Sequence, residues 1–112
     1  MADCIFCQIG SGKIPAQVVY QDETVMAFKD IHPKAPVHVL IIPKKHIAST
    51  ADIAKTDLPI AAHMLEVANI VAEKEGTSGA YKLVVNTGPS AGQVVMHLHM
   101  HLLGGKKITA VV

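Results

Sequence analysis

Seven residues carry the most chemistry in this chain: His97-Leu98-His99-Met100-His101-Leu102-Leu103. In an extended strand, strict alternation sends the three imidazoles to one face and Leu98, Met100 and Leu102 to the other. Imidazoles on one face are then about 6.6–6.8 Å apart along the backbone. Three readings are open: half-buried polar residues of an edge strand, converging ligands for a metal such as zinc, or catalytic groups. Imidazole titrates near neutral pH, so it serves as nucleophile, base or acid without a large pKa shift. The loop before it, Asn86-Thr87-Gly88-Pro89-Ser90-Ala91-Gly92-Gln93, is made of turn residues. Gly88 and Gly92 allow close backbone approach to a ligand, and successive loop N–H groups can form an anion nest. Asn86 adds an amide donor. A phosphate there would sit at the mouth of the histidine strand. A second constellation, Cys4-x-x-Cys7, has the spacing of half a zinc site.

Composition narrows the classes of function. The chain has 112 residues, half of them apolar, with 10 Lys and no Arg against 9 acidic residues. That suits one domain spanning residues 1–112 and excludes wholesale disorder. A net charge of +1 argues against a dedicated nucleic-acid or membrane-surface binder. Without Arg there is no guanidinium fork, so any phosphate must rest on His, Lys, amides or backbone N–H groups. No apolar run approaches the roughly 20 residues that span a bilayer. The start Met1-Ala2-Asp3-Cys4 lacks a signal-peptide pattern, and a cytoplasmic protein is expected, with nuclear entry left open.

The elements that position these groups read as an α+β domain. Asp3 is placed to cap a short helix over Cys4–Ile9, stopped by Gly10 and Gly12. Strands are expected at Val18–Tyr20, Val25–Lys29, Val37–Ile42, Tyr81–Val85 and Val94–Leu103. Val37–Ile42 is so continuously apolar that it reads as a central strand. A long helix is expected over Leu58–Glu75, capped by Asp57 or Thr56 and stopped by Gly76. Ile60, Met64, Val67 and Val71 form its core stripe.

The histidine segment resembles the signature of the histidine-triad family. Cys4-Ile5-Phe6-Cys7, Phe28-Lys29-Asp30-Ile31, Pro33, Ala35-Pro36, His38, Ile42-Pro43-Lys44-Lys45-His46, Asn86 and Gly92-Gln93 follow in the family's order. Leu103-Gly104-Gly105 resembles its nucleotide-binding branch, the purine nucleoside phosphoramidases. The resemblance implies a mainly antiparallel sheet of five or six strands with one long and one short helix, and a homodimer. It implies hydrolysis of purine nucleoside 5′-phosphoramidates. His99 would be the nucleophile, forming a nucleotidyl-imidazole that water cleaves, with no metal at the reacting phosphorus. The His97 carbonyl would fix its tautomer; His101, Asn86 and the backbone of Gly92, Gln93 and Val94 would hold the phosphoryl oxygens. His38 would support the triad, Asp30 would bind the ribose, and Ile31, Ile5, Phe6 and Ile9 would sandwich the base. In zinc-binding relatives the ligands correspond to Cys4, Cys7, His46 and His97, so a structural Cys₂His₂ zinc is implied.

Two departures from the family pattern stand out. Val94 occupies a position where this branch usually carries a hydroxyl residue, which puts rate and leaving-group range in question. The segment Lys106–Val112 has no Trp, so no tail contribution of that kind is expected. Two rival functions fit the same residues: hydrolysis of dinucleoside polyphosphates or acyl-nucleotides, and a zinc-stabilised nucleotide-binding module with vestigial catalysis.

Overall fold

The most continuous apolar run becomes the middle of a sheet. In the computed structural model, which describes residues 4–107, Val37–Pro43 (β3) is buried at nearly every position. It pairs with Val25–Lys29 (β2) on one side and Met100–Gly104 (β5) on the other. Val18–Gln21 (β1) and Tyr81–Val84 (β4) form the edges, giving five antiparallel strands in the order β1-β2-β3-β5-β4. Asp3, expected as a helix cap, and residues 108–112 of the tail lie outside the described residues. The short N-terminal helix runs over Ile5–Gly10, starting one residue later than expected and continuing through Gly10. Its N-cap is Cys4 and not Asp3, with Cys4 Sγ accepting the Cys7 N–H at 3.4 Å.

Alternation along each strand separates two cores. Val25, Ala27, Val39, Ile41, Met100 and Leu102 meet the stripe of Met64, Val67 and Val71 on the long helix α2, Leu58–Lys74. Ile60 packs at the margin of that layer. On the opposite face Met26, Phe28, Leu40 and Ile42 pack with Phe6 of the short helix α1, Ile5–Gly10. Each face therefore buries its own apolar set, as a period of two requires. No helix among the described residues is long and apolar enough to cross a membrane.

Three further expectations need correction. The last strand starts at Met100 and not at Val94. Pairing with β3 stops at Ile41–Met100, and continuing it would bring Leu98 opposite Pro43, which has no N–H to give. Leu98 N–H instead donates to the Ile47 carbonyl at 2.6 Å. The alternation of faces nevertheless persists through His97 and His99. Asp57 does stand before α2, but its side chain makes no cap hydrogen bond. A 3-10 turn over Lys55–Asp57 already gives it helical backbone angles, and its carboxylate pairs with Lys45 Nζ at 2.8 Å. The loop nest is closed on itself: the N–H groups of Ala91, Gly92 and Gln93 donate to the Gly88 and Pro89 carbonyls.

Candidate nucleotide and metal sites

Obligatory donors and acceptors on the backbone dictate the tautomer of each ring. Nδ1 of His99 lies 2.7 Å from the carbonyl oxygen of its neighbour His97. A carbonyl only accepts, so Nδ1 carries the proton and the Nε2 lone pair is left in the cleft that His99 lines. The Lys34 N–H donates to His38 Nδ1 at 3.0 Å, which puts the His38 proton on Nε2. That proton points at His101 Nδ1, 2.9 Å away. His101 must then hold its own proton on Nε2. The result is one imidazole with a bare lone pair and, 5.0 Å from it between ring centres, one with an N–H to donate.

Charge follows the same pattern. Burial, then the neighbouring His99 and His38, pulls the His101 imidazole down to about 4. Burial also lowers His38, against the pull of Asp30. Both rings are therefore neutral at neutral pH. Asp30 stands 3.4 Å from His38 Nε2, and its other oxygen accepts the His32 N–H at 2.7 Å. Asp30, His38 and His101 have the closeness of a metal triple. His38 cannot bind a cation through Nε2 while Nδ1 accepts a backbone N–H, so His38 and His101 form a hydrogen-bonded relay with the Asp30 carboxylate beside it.

Two connected cavities meet at this relay. A slot of about 710 Å³ lies between α1 and β2, walled by Ile5, Phe6, Ile9, Phe28 and Ile31. A cleft of about 520 Å³ continues over His38, His99 and His101 to Asn86, Gly92 and Val94. Ile5, Phe6, Asp30, Ile31 and Leu40 line both. Ile31 is 86% exposed, leaving its side chain open to a ligand. Such a shape, apolar with a few convergent polar groups, is that of a small-molecule site.

Every expected nucleotide contact lines these cavities except Gln93. Its amide accepts the Gly88 N–H at 2.8 Å and donates to the Ala48 and Val95 carbonyls at 2.7 and 3.0 Å. Its backbone N–H is also taken by Gly88. No donor of Gln93 is left for a ligand; it holds the loop in shape. Gly92, at φ +96°, lies against the Asn86 amide, where an added Cβ would come within 3.8 Å. Val94 N–H, like those of Thr87 and Ser90 in the loop, has no acceptor among the described residues. Sequence reasoning missed Lys34 and Pro43, because their backbone groups act and those carry no residue-type signal. It also missed Val84, Leu40 and Leu103 as lining residues.

The cysteine pair meets two histidines from distant segments. Cys4 Sγ is 3.3 Å from His97 Nδ1, Cys7 Sγ is 3.6 Å from the same atom, and Cys7 Sγ is 3.3 Å from His46 Nδ1. All four ligand atoms lie within 4.8 Å of one another. Tetrahedral zinc would place sulfur and nitrogen about 3.5 Å apart, so the set fits. His97 Nε2–H donates to the Pro43 carbonyl at 2.8 Å, which leaves Nδ1 free to ligate. Burial, then Cys4, pushes the Cys7 thiol up, so a cation would be needed to hold it as thiolate.

A sheet that presents one nucleophile-ready imidazole and one donor imidazole beside a nucleoside-sized slot defines a histidine-based nucleotide site. The comparisons agree. A family model described as "Scavenger mRNA decapping enzyme C-term binding" matches residues 3–110. The purine nucleoside phosphoramidase of Escherichia coli (strain K12) is 43% identical over 107 residues, covering 95% of this chain and 90% of that protein. The 14 kDa zinc-binding protein of Zea mays is 45% identical over 106 residues, covering 93% of this chain and 83% of that one. The HIT family hydrolase from Clostridium thermocellum superposes with a TM-score of 0.95 at 45% identity, covering 100% of this chain and 98% of that one. The chain belongs to the histidine-triad family, whose relatives include nucleotide hydrolases.

Proposed function

We propose that this protein hydrolyses purine nucleoside 5′-phosphoramidates through a covalent intermediate on His99. The observation that carries the reading is the hydrogen bond from His99 Nδ1 to the His97 carbonyl, which aims the Nε2 lone pair into the cleft. That lone pair attacks the α-phosphorus and expels the amine; water then adds to phosphorus and releases the nucleotide. His101 Nε2–H, the Asn86 amide and the Val94 N–H stabilise the phosphoryl oxygens as charge develops. Asp30 accepts from the ribose hydroxyls, and the slot between Phe6, Ile9 and Ile31 takes the base. The phosphoramidase activity of the E. coli relative supports the substrate class.

In this reading the whole chain works as one histidine-triad domain. A zinc ion held by Cys4, Cys7, His46 and His97 would lock α1 to the sheet and supply no chemistry at phosphorus. The open edge of β4 suits sheet-to-sheet pairing in a homodimer. The test is turnover of adenosine 5′-phosphoramidate by wild type and His99→Ala, with and without a chelator. Chelator-resistant turnover that vanishes in the variant supports the reading. Tight AMP binding without any turnover by the metal-replete wild type overturns it in favour of a binding module.

A further inference from the structure

Sheet register gives the cleft a direction. On the face away from α2, Phe28 stands beside Leu40, Leu40 beside His101, and His101 beside Val84 of the edge strand. The apolar slot opens on the β2 side of this row, where α1 packs. A nucleotide with its base in the slot and its phosphorus at His99 sends the remaining phosphoryl substituent outward over β4. The side chains met there are Val84, Leu103 and Val94, the last 90% exposed. His32 and Lys34 also line the cleft, but they come from the β2–β3 connection beside Asp30, on the nucleoside side. Lys82, further along β4, is not among the residues lining the cleft. Near phosphorus the polar side-chain hydrogens are those of the Asn86 amide and the His101 ring, both turned to the phosphoryl oxygens in the reading above, and no hydroxyl lines the cleft beside the leaving atom.

We propose, building on the nucleotidyl-histidine reading above, that Val94 is a specificity-determining residue. With Val84 and Leu103 it forms an apolar leaving-group subsite with no hydroxyl to pass a proton from water to the leaving atom. That subsite favours nucleoside 5′-phosphoryl conjugates of apolar acyl groups over those of alkylamines. In the first step the His99 Nε2 lone pair forms the bond to phosphorus while the bond to the leaving atom breaks. From an acyl conjugate the electron pair departs on a carboxylate oxygen, where resonance holds it and no proton is required. From an amine conjugate the pair stays on nitrogen, which must take a proton from solvent water as it leaves. In the second step water adds to phosphorus, the phosphorus–nitrogen pair returns to His99 Nε2, and the proton from water passes to solvent. The second step is common to both substrates, so the difference lies in the first.

The experiment compares kcat/KM for two conjugates of adenosine 5′-monophosphate, one with benzoate and one with benzylamine, which match in apolar bulk. Val94→Thr keeps the shape of valine and adds one hydroxyl; Val94→Ala removes bulk and adds none. The expected result is that Val94→Thr raises the benzylamine-to-benzoate ratio by about tenfold or more, while Val94→Ala leaves that ratio where wild type has it. An unchanged ratio in Val94→Thr overturns the proposal although the nucleophile stands. If neither conjugate is turned over in a His99-dependent way, the nucleotidyl-histidine reading fails and the proposal falls with it.

Discussion

The carbonyl of His97 accepts a hydrogen bond from Nδ1 of His99 while the His97 ring points away, its Nδ1 3.3 Å from Cys4 Sγ. One fully buried residue thus faces two sites: its side chain belongs to the Cys₂His₂ cluster and its backbone fixes the tautomer of the neighbouring imidazole. Phe6 of α1 sits edge-on to both rings, at 5.9 Å from His97 and 5.1 Å from His99. The short helix therefore connects the Cys₂His₂ cluster, the apolar slot and the His99 ring.

Removing the nucleophile should separate binding from chemistry. His99→Ala is expected to lower kcat for adenosine 5′-phosphoramidate roughly a thousandfold or more, as loss of a covalent nucleophile does. Its AMP affinity, measured by calorimetry, should persist. Acid-quenched wild type should carry a nucleotidyl adduct on His99 by mass spectrometry, and an adduct on another residue would rule out the assignment.

The relay predicts an acid limb. His101 is neutral above about 4, so its protonation adds an acid limb to kcat/KM, which falls as pH approaches that value. Protonation of His101 puts a second proton on Nδ1, where the His38 Nε2–H already points. Stability should move in the same direction. The unfolded ring binds its proton near pH 6.5 and the folded ring near 4, so stability declines as pH drops between them. His38→Ala should lower kcat more than it raises KM; the reverse split would argue for a binding role.

A second histidine works with the opposite sign. His63 of α2 bonds Asp22 through Nε2 at 2.6 Å and Glu66 through Nδ1 at 2.7 Å, pinning the helix to the β1–β2 turn. Hydrogen bonds first to Asp22 and then to Glu66 raise its pKa. Burial pushes Asp22 up, but bonds from Tyr20, His63, Thr24 and Val25 outweigh it and hold the carboxyl well below the usual range. The stabilisation from His63 is full below its unfolded pKa and is lost as pH rises through the folded one; that from Asp22 is present above about pH 4. The Tm deficit of His63→Gln relative to wild type should therefore be larger near pH 6 than near pH 9. Equal deficits would show that the pair carries no charge-dependent stability.

Gln93 tests the loop. Gln93→Ala strands the Gly88 N–H and the Ala48 and Val95 carbonyls, and should cost about 2–4 kcal/mol in urea unfolding. Because Gly92 and Val94 flank it, KM should rise along with the loss of stability. A loss under about 0.5 kcal/mol would mean the loop keeps its shape without the amide.

Metal content provides the last check. Purified protein should hold about one zinc per chain, and Cys7→Ser should lose it. Removal should lower Tm by about 5 °C or more and weaken AMP binding, since α1 carries Phe6 and Ile9 of the base slot. Zinc-free protein with unchanged Tm and AMP affinity would show that the cluster stands on its own hydrogen bonds.

Much of this architecture was legible in the chain because it depends on local pattern. The apolar run of β3 announced a central strand, and the helical spacing of Met64, Val67 and Val71 announced the buried stripe of α2. Alternation through His97, His99 and His101 correctly divided imidazoles from Leu98, Met100 and Leu102. The strand itself begins six residues after the start of that alternation, at Met100 and not Val94, because periodicity persists where pairing stops and Pro43 is invisible from that segment.

By itself, then, the sequence determined which residues share a face and which types of chemistry are available. Tertiary structure decided which nitrogen of each imidazole carries its proton. That choice rests on the His97 and Pro43 carbonyls and the Lys34 N–H, backbone groups that every residue type except the proline donor possesses. It also decided that Gln93 would serve the loop and not the ligand, and that Cys4 and Cys7 would meet His97, 93 and 90 positions away. A hydrogen bond between distant segments leaves no periodic trace in a chain, because its partners are brought together only by the packing of the sheet between them.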